Sequence, residues 1–186
     1  MGAILAATKA LNYDIWETET EVNGLAGAVE ATNMILDRGR DEGYSYVWIV
    51  EADVIVPKDA LQTLLSDGAD VAFGYYSYHL DRDNPSIMEA YENLMIAGRF
   101  IDPTNKMDPY HALNFYRWEV EDHVMEGWVF AGIGCCLLNE RILDSDLRFV
   151  YIPSKVGHDL AFYHEAQRRG LRVVLDGRVL CEHLGD

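Results

Sequence analysis

The chain has 186 residues, with 31 Asp and Glu residues against 15 Lys and Arg residues and a formal net charge of −16 at pH 7. This length predicts one domain. The excess of negative charge excludes general electrostatic binding to nucleic acid or to an anionic membrane. No stretch approaches the roughly 20 apolar residues of a membrane span, and the three cysteines lack metal or redox spacing, so we expect a reduced, cytoplasmic protein.

The first 50 residues predict strands around one amphipathic helix. Residues 3–8 are apolar and predict a strand, although their alanines leave a helix open, and residues 13–19 alternate weakly as a strand would. Apolar side chains at helical spacing predict a helix from residue 24 to about residue 38, which Asn23 can cap. Residues 46–50 are continuously apolar and predict a strand that is buried on both faces of a sheet.

The remaining elements continue the alternation of strands and helices. They are a helix at 58–66, a strand at 70–78, a weakly periodic segment at 80–127 with a strand at 113–120, a glycine-broken strand at 129–139, helices at 140–143 and 158–169, and strands at 171–175 and 178–181. This order predicts an α/β fold, a three-layer α/β/α sandwich whose ligands bind at the carboxyl ends of the strands.

Two carboxylates follow the strand at 46–50, Glu51 and Asp53. In an extended segment, residues two apart point to the same side and can address one site. Hard divalent cations prefer carboxylate oxygen, and a metal that bridges two phosphates takes only one or two protein carboxylates. The spacing alone leaves a solvated strand end as the alternative.

An apolar strand, this acidic pair, Pro57 and a short helix resemble the metal-binding segment of GT-A fold glycosyltransferases, most closely the inverting family 2. The resemblance implies a mostly parallel central sheet, a small or truncated N-terminal part, and Mn²⁺ or Mg²⁺ on the diphosphate of a nucleotide sugar. It makes Asp53 the firmer metal ligand. Glu51 stands where the family has Asp, so it becomes a supporting ligand.

Two later segments resemble further strands of that family. The strand predicted at residues 70–76 has a glycine near its end, as the family has before its variable acceptor region. Residues 131–138 are similar to the family's glycine-rich strand behind the sugar pocket. Gly132 and Gly134 let a backbone approach a ligand closely, and a bend in an ordinary strand explains them equally well. The resemblance adds Thr8 and Ala52 as donor contacts.

The C-terminal part supplies a candidate base and a candidate ligand. Asp159 matches the family's general base, which takes the proton of the acceptor hydroxyl, and His158 stands where the family often has Glu. Asp159 also suits the first turn of a helix without any chemistry. His183 resembles the histidine that completes many GT-A metal sites, since imidazole is a competent ligand for Mn²⁺. An exposed terminal histidine is the alternative.

The middle segment offers candidates for sugar contacts. Trp118 and Trp128 can stack on sugar rings, and Arg82 can pair with diphosphate. A core role for the aromatic residues and a solvated loop for Arg82 remain alternatives.

The resemblance therefore predicts one GT-A-like catalytic domain over residues 1–186, with residues 80–127 as the acceptor side. The predicted enzyme is a metal-dependent hexosyltransferase that moves a sugar from a UDP- or GDP-linked donor to an acceptor hydroxyl with inversion. Two alternatives stay open: a module that binds nucleotide or sugar without turnover, and a metal-dependent phosphohydrolase.

Overall fold

The structure is a computed structural model that describes residues 14, 16, 24–77, 94–152 and 158–184. The predicted strand at residues 3–8 and nearly all of the one at 13–19 lie outside the described residues. So do the predicted cap Asn23 and the candidate ligand contacts Thr8 and Arg82.

The described residues form five helices and ten strands. The helices are α1 (Gly24–Asp41), α2 (Ala60–Ser66), α3 (Arg117–Val120), α4 (Glu140–Leu143) and α5 (His158–Arg168). The strands are β1 (Tyr46–Val50), β2 (Val54–Ile55), β3 (Val71–Tyr75), β4 (Leu94–Phe100), β5 (Ala112–Tyr116), β6 (Val124–Glu126), β7 (Val129–Ala131), β8 (Cys135–Asn139), β9 (Val173–Leu180) and β10 (Glu182–His183). The predicted helix near α1, strand β1 and helix α4 are confirmed. The predicted burial of β1 on both faces is wrong, because Val47 and Ile49 are buried whereas Tyr46 is exposed and Trp48 and Val50 are half-buried.

The main sheet is mixed and mostly antiparallel. Its five strands run in the order β1-β8-β3-β9-β6. Only β3 and β9 pair in parallel, whereas β8 is antiparallel to both β1 and β3, and β6 is antiparallel to β9. The α/β class is confirmed, and the mostly parallel sheet is wrong. A continuous apolar run indicates burial on both faces, which helices on both sides produce here, and carries no information about strand direction.

Both faces of the main sheet are buried, as the alternation along β3 shows. Val71 and Phe73 contribute to one hydrophobic cluster, which also contains side chains from α1, α4 and α5. Ala72 contributes to a second cluster, which contains Ala60 and Leu64 of α2. Alternate residues of a strand face opposite sides, so the sheet lies between helices.

Two smaller sheets complete the described fold. One pairs β10 with β2, and the other has the order β5-β4-β7. The predicted strand at 129–139 is therefore divided between two sheets, because the chain bends between β7 and β8 at Gly132 and Gly134. The predicted strand at 113–120 ends at Tyr116, where α3 begins, and β4 was not predicted at all.

The C-terminal strand is longer than predicted. The two strands expected at 171–175 and 178–181 form the single strand β9. Gly177 lies inside it, where a Cβ atom would overlap the backbone oxygen of Val120. The glycine thus permits close backbone approach within the strand. Among the helices that the structure describes, none is long and apolar enough to cross a membrane.

Candidate functional site

The pairing of two short strands brings Asp53 and His183 together. In the antiparallel pair of β2 and β10, His183 is opposite Val54, and the N–H of Leu184 donates to the carbonyl of Asp53 at 2.8 Å. The side chains meet beside this ladder, with His183 Nε2 at 3.2 Å from Asp53 Oδ2. Residues 130 positions apart in the chain are thus juxtaposed by backbone hydrogen bonds.

The spacing of these two atoms suits two ligands of one metal ion. In an octahedral site with bonds of about 2.1 Å, neighbouring ligand atoms lie about 3 Å apart. The observed 3.2 Å is close to that value, and an oxygen with an imidazole nitrogen is a donor set that Mn²⁺ accepts. The same contact also serves as an ion pair when His183 is protonated. The residues therefore fit a divalent cation as two of its ligands.

Glu51 lies near this pair, in a turn rather than in the extended segment that the spacing suggested. The N–H of Val54 donates to the carbonyl of Glu51 at 3.1 Å, which closes the turn. Burial raises the pKa of Glu51, and the negative charges of Asp53 and Asp159 raise that pKa further. Three carboxylates therefore repel one another here, a strain that a bound cation would relieve.

Tyr76 connects the acidic cluster to the sheet, a role that its sequence context did not reveal. Its ring lies 5.1 Å from the ring of His183. Its hydroxyl accepts a hydrogen bond from the N–H of Gly134 at 3.2 Å and donates one to Glu51, which holds the pKa of Glu51 below the value that burial would give. The sequence signal available was only its position at the end of a buried strand.

The two predicted donor glycines face Tyr76. A Cβ atom at Gly132 would overlap the hydroxyl oxygen of Tyr76, and a Cβ atom at Gly134 would come within 2.8 Å of that oxygen and 2.7 Å of Val54. The glycines therefore leave the space that the tyrosine fills. No donor molecule is needed to explain them.

Asp159 lies in the first turn of α5 and close enough to Glu51 to affect its pKa. Burial raises the pKa of Asp159, and the hydrogen bond from the N–H of Leu160, at 2.8 Å, partly opposes that rise. The neighbouring His158 is buried and stacks edge-on against Phe149. Asp159 is thus a half-buried carboxylate with a raised pKa, as a general base needs.

The remaining predicted contacts lie apart from this cluster or play other roles. Trp128 packs edge-on against Phe100 and at a tilt against His164 in the core. Trp118 is exposed on α3, in a groove of the three-stranded sheet. Ala52 is exposed in the turn between Glu51 and Asp53. The structure therefore assembles Glu51, Asp53, Asp159 and His183, and places both tryptophans elsewhere.

In the ranges that the structure describes, no set of three or more His, Cys, Asp and Glu side chains is arranged to hold a metal ion. Asp53 and His183 would therefore supply two ligands, and the others would come from water or from a bound ligand. That division is ordinary for cations bound together with phosphates.

Comparisons with known proteins identify the fold and no family. No family model matches the chain, and no curated protein matches it. Among solved structures, the chain is similar to "Crystal Structure of A197 from STIV", a viral protein, with a TM-score of 0.51 and 15% identity over 86% of this chain and 68% of that one. At this identity the likeness concerns the fold alone.

These findings correct the predicted membership of the family 2-like GT-A glycosyltransferases, which is wrong. The structural neighbour is a viral protein whose title states no activity, no family model supports the assignment, and the sheet is mixed and mostly antiparallel. The short motifs that suggested the family are an acidic pair after a strand, two glycines and a C-terminal histidine. Packing within the protein explains some of these motifs without any ligand. Gly132 and Gly134, for example, leave the space that Tyr76 fills.

Proposed function

We propose that this protein is a metal-dependent transferase that moves a sugar from a nucleotide-diphosphate donor to a hydroxyl acceptor. The observation that carries the proposal is the 3.2 Å approach of His183 Nε2 to Asp53 Oδ2 beside two further carboxylates. The support is the chemistry of this cluster, which suits a divalent cation and a carboxylate base.

Asp53 and His183 would hold Mn²⁺ or Mg²⁺, and Glu51 would orient the site through its hydrogen bond with Tyr76. When bound, the cation acts as a Lewis acid that neutralises the charge of the leaving diphosphate. A donor diphosphate would otherwise meet the repulsion of three carboxylates in a chain of net charge −16. Donor binding should therefore depend on the cation.

Asp159 is the candidate general base in this proposal. It lies on α5, on a different element from both metal ligands, and burial raises its pKa toward neutrality. A base whose pKa lies nearer the working pH takes the proton of an acceptor hydroxyl more readily. Attack from the side opposite the leaving group would invert the anomeric centre.

One observation favours a second candidate, a module that binds nucleotide or sugar without turnover. Within the described ranges only two side chains are placed as ligands of one ion, and Asp159 accepts a hydrogen bond within its own helix turn. Both features also suit a site that holds a ligand and performs no chemistry. We infer a cytoplasmic setting for either function, because the three cysteines are free and buried.

The test is a titration of the protein with UDP and with GDP, each with and without Mn²⁺, by isothermal calorimetry. Asp53→Asn and His183→Ala should abolish the Mn²⁺-dependent part of binding. Asp108→Asn and His111→Ala remove the same residue types from exposed positions that precede β5 and should bind as the wild type does.

Turnover is measured next with nucleotide sugars and a broad acceptor panel. Sugar transfer that Asp159→Asn abolishes, with nucleotide binding retained, supports the transferase. Binding without turnover favours the binding module, and release of inorganic phosphate points to a phosphohydrolase. The proposal fails if neither nucleotide binds in a manner that depends on Mn²⁺ and on Asp53.

A further inference from the structure

A groove of about 650 Å³ lies on the three-stranded sheet, outside the acidic cluster. Residues of β4, β5 and α3 line it. Three of its large apolar side chains are unusually exposed: Trp118 at 63%, Leu113 at 53% and Tyr116 at 42%. Its volume is within the range of small-molecule sites, and β5 is an edge strand of its sheet in the described part of the chain.

Two of these side chains form a parallel aromatic stack, here called the platform. The rings of Tyr116 and Trp118 are stacked, with centroids 4.6 Å apart and planes within 5° of parallel. The single turn of α3 fixes their backbone, since the carboxylate of Glu119 accepts a hydrogen bond from the N–H of Tyr116 at 2.8 Å. The ion pair of Arg117 with Glu121, at 2.8 Å, spans the same turn. The platform is therefore organised before any ligand arrives.

The charges of the groove indicate an uncharged, hydroxyl-rich ligand. Among the described residues that line it, Arg99 is the one cation and Glu119 the one anion, so the lining is neutral within a strongly acidic chain. Asn114 adds an amide. The negative face of an aromatic ring attracts the partly positive C–H groups on the apolar face of a pyranose. The forked guanidinium of Arg99 and the carboxylate of Glu119 can hydrogen-bond its hydroxyls.

Strand β4 lines the groove and also hydrogen-bonds to the backbone of Tyr76. Leu94 lines the groove, and two residues further, about 7 Å along the strand, the N–H of Ile96 donates to the carbonyl of Tyr76 at 2.8 Å. The same Tyr76 contacts His183 and Glu51.

We propose that the groove binds a neutral oligosaccharide through the Tyr116–Trp118 platform. Given the proposed function, on which this part of the inference rests, that saccharide is the acceptor. Saccharide binding itself requires neither the cation nor the nucleotide.

The experiment measures binding of neutral trisaccharides of glucose, mannose and N-acetylglucosamine by saturation-transfer NMR and by titration of tryptophan fluorescence, in buffer with EDTA and no nucleotide. The variants are Trp118→Ala and Trp118→Phe. Met107→Ala is the matched control, since Met107 is 93% exposed and lies outside the groove.

We expect at least one trisaccharide to bind the wild type and Met107→Ala equally. Trp118→Ala should weaken that binding about tenfold or more, and Trp118→Phe should weaken it less, because a ring face remains. Unfolding midpoints of all variants are recorded to show that they fold. The protein is also run in sedimentation equilibrium, and an edge-pairing peptide with the sequence of β5 is titrated as a competitor.

The inference is overturned if no trisaccharide binds the wild type, or if a folded Trp118→Ala variant binds it equally well. It is also overturned if the platform instead joins two copies of the chain or captures the β5 peptide. The two proposals fail separately. Saccharide binding without Mn²⁺-dependent nucleotide binding would contradict the proposed transferase and support the saccharide groove. Mn²⁺-dependent nucleotide binding without saccharide binding would support the metal site and contradict the saccharide groove.

Discussion

The hydroxyl of Tyr76 accepts a hydrogen bond from the backbone N–H of Gly134 at 3.2 Å. Gly134 immediately precedes β8, the strand between β1 and β3 in the main sheet, and the same tyrosine contacts His183 and Glu51. One side chain therefore belongs both to the core of the sheet and to the candidate site. A change at Tyr76 should affect stability and ligand binding together.

The first prediction is that Tyr76→Phe destabilises the protein by about 1–2 kcal/mol, since it leaves the buried N–H of Gly134 without its acceptor. Urea denaturation at pH 7 measures the free energy of unfolding. Tyr75→Phe is the matched control: the hydroxyl of Tyr75 is buried and has no hydrogen-bond partner in the structure as described, so its removal should cost nothing or stabilise. Equal losses for the two variants would contradict the assigned role of Tyr76.

The second prediction concerns the space around that hydroxyl. Gly132→Ala should cost about 1–3 kcal/mol, because its Cβ atom would overlap the Tyr76 hydroxyl and come within 3.0 Å of Ile96. In a Tyr76→Phe background the cost of Gly132→Ala should be smaller, since the first overlap is gone. A double-mutant cycle in urea measures this coupling. If the two free-energy changes are strictly additive, the cost of Gly132→Ala arises from the backbone at this position and not from contact with Tyr76.

The local elements of this fold were predictable from the sequence wherever one pattern dominated. Strand β1 is an unbroken apolar run. Helix α4 begins at Glu140, just after Asn139, whose side chain accepts hydrogen bonds from the N–H groups of Arg141 and Ile142. Such signals lie within a few residues. Strand β4 was missed because seven apolar-rich residues inside a weakly periodic segment carry no period that separates strand from helix.

Strand direction and the partners of the site were not predictable in the same way. The antiparallel insertion of β8 between β1 and β3 depends on packing between segments that are about 65 to 90 residues apart in the register of these pairs. Asp53 and His183 were both named from the sequence, and the structure places them together. Trp118 was also named from the sequence, but its stacking on Tyr116 and the role of Tyr76 were not predicted, because both arise from tertiary contacts.

The third prediction is a stability change that depends on Mn²⁺. The wild type should gain about 2.7 kcal/mol when Mn²⁺ is present at a hundred times its dissociation constant, and Asp53→Asn should lose this gain. Without metal, Asp53→Asn should cost little or stabilise, because the negative charge of Asp53 raises the pKa of Glu51 and so opposes its ionisation. Thermal denaturation with Mn²⁺ and with EDTA measures both effects. If Mn²⁺ stabilises Asp53→Asn as much as the wild type, Asp53 is not a ligand of the metal.

The fourth prediction concerns how stability depends on pH. The carboxyl groups responsible are those of Asp67 and Asp176, which lie away from the candidate site. Arg178 Nη2 lies 2.9 Å from Asp67 Oδ1 and 2.6 Å from Asp176 Oδ2, and Asp176 is fully buried. Burial, followed by the charge of Asp176, raises the pKa of Asp67 to about 6. The folded protein therefore binds a proton at Asp67 more tightly than the unfolded chain does.

It follows that the stability contributed by this group is complete below the unfolded pKa, near 3.8, and is lost as the pH rises through about 6. Asp67→Asn cannot titrate, so its free energy of unfolding should rise relative to that of the wild type as the pH rises from 4 to 7. The control variant is Glu165→Gln, which removes a carboxyl whose pKa is lowered instead of raised.

Hydrogen bonds from Arg168 and Arg169 lower the pKa of Glu165 to about 2, so that variant should lose a constant amount of stability between pH 5 and pH 8. Urea denaturation at four pH values between 4 and 8 measures both differences. A difference between Asp67→Asn and the wild type that does not change with pH would exclude the raised pKa of Asp67.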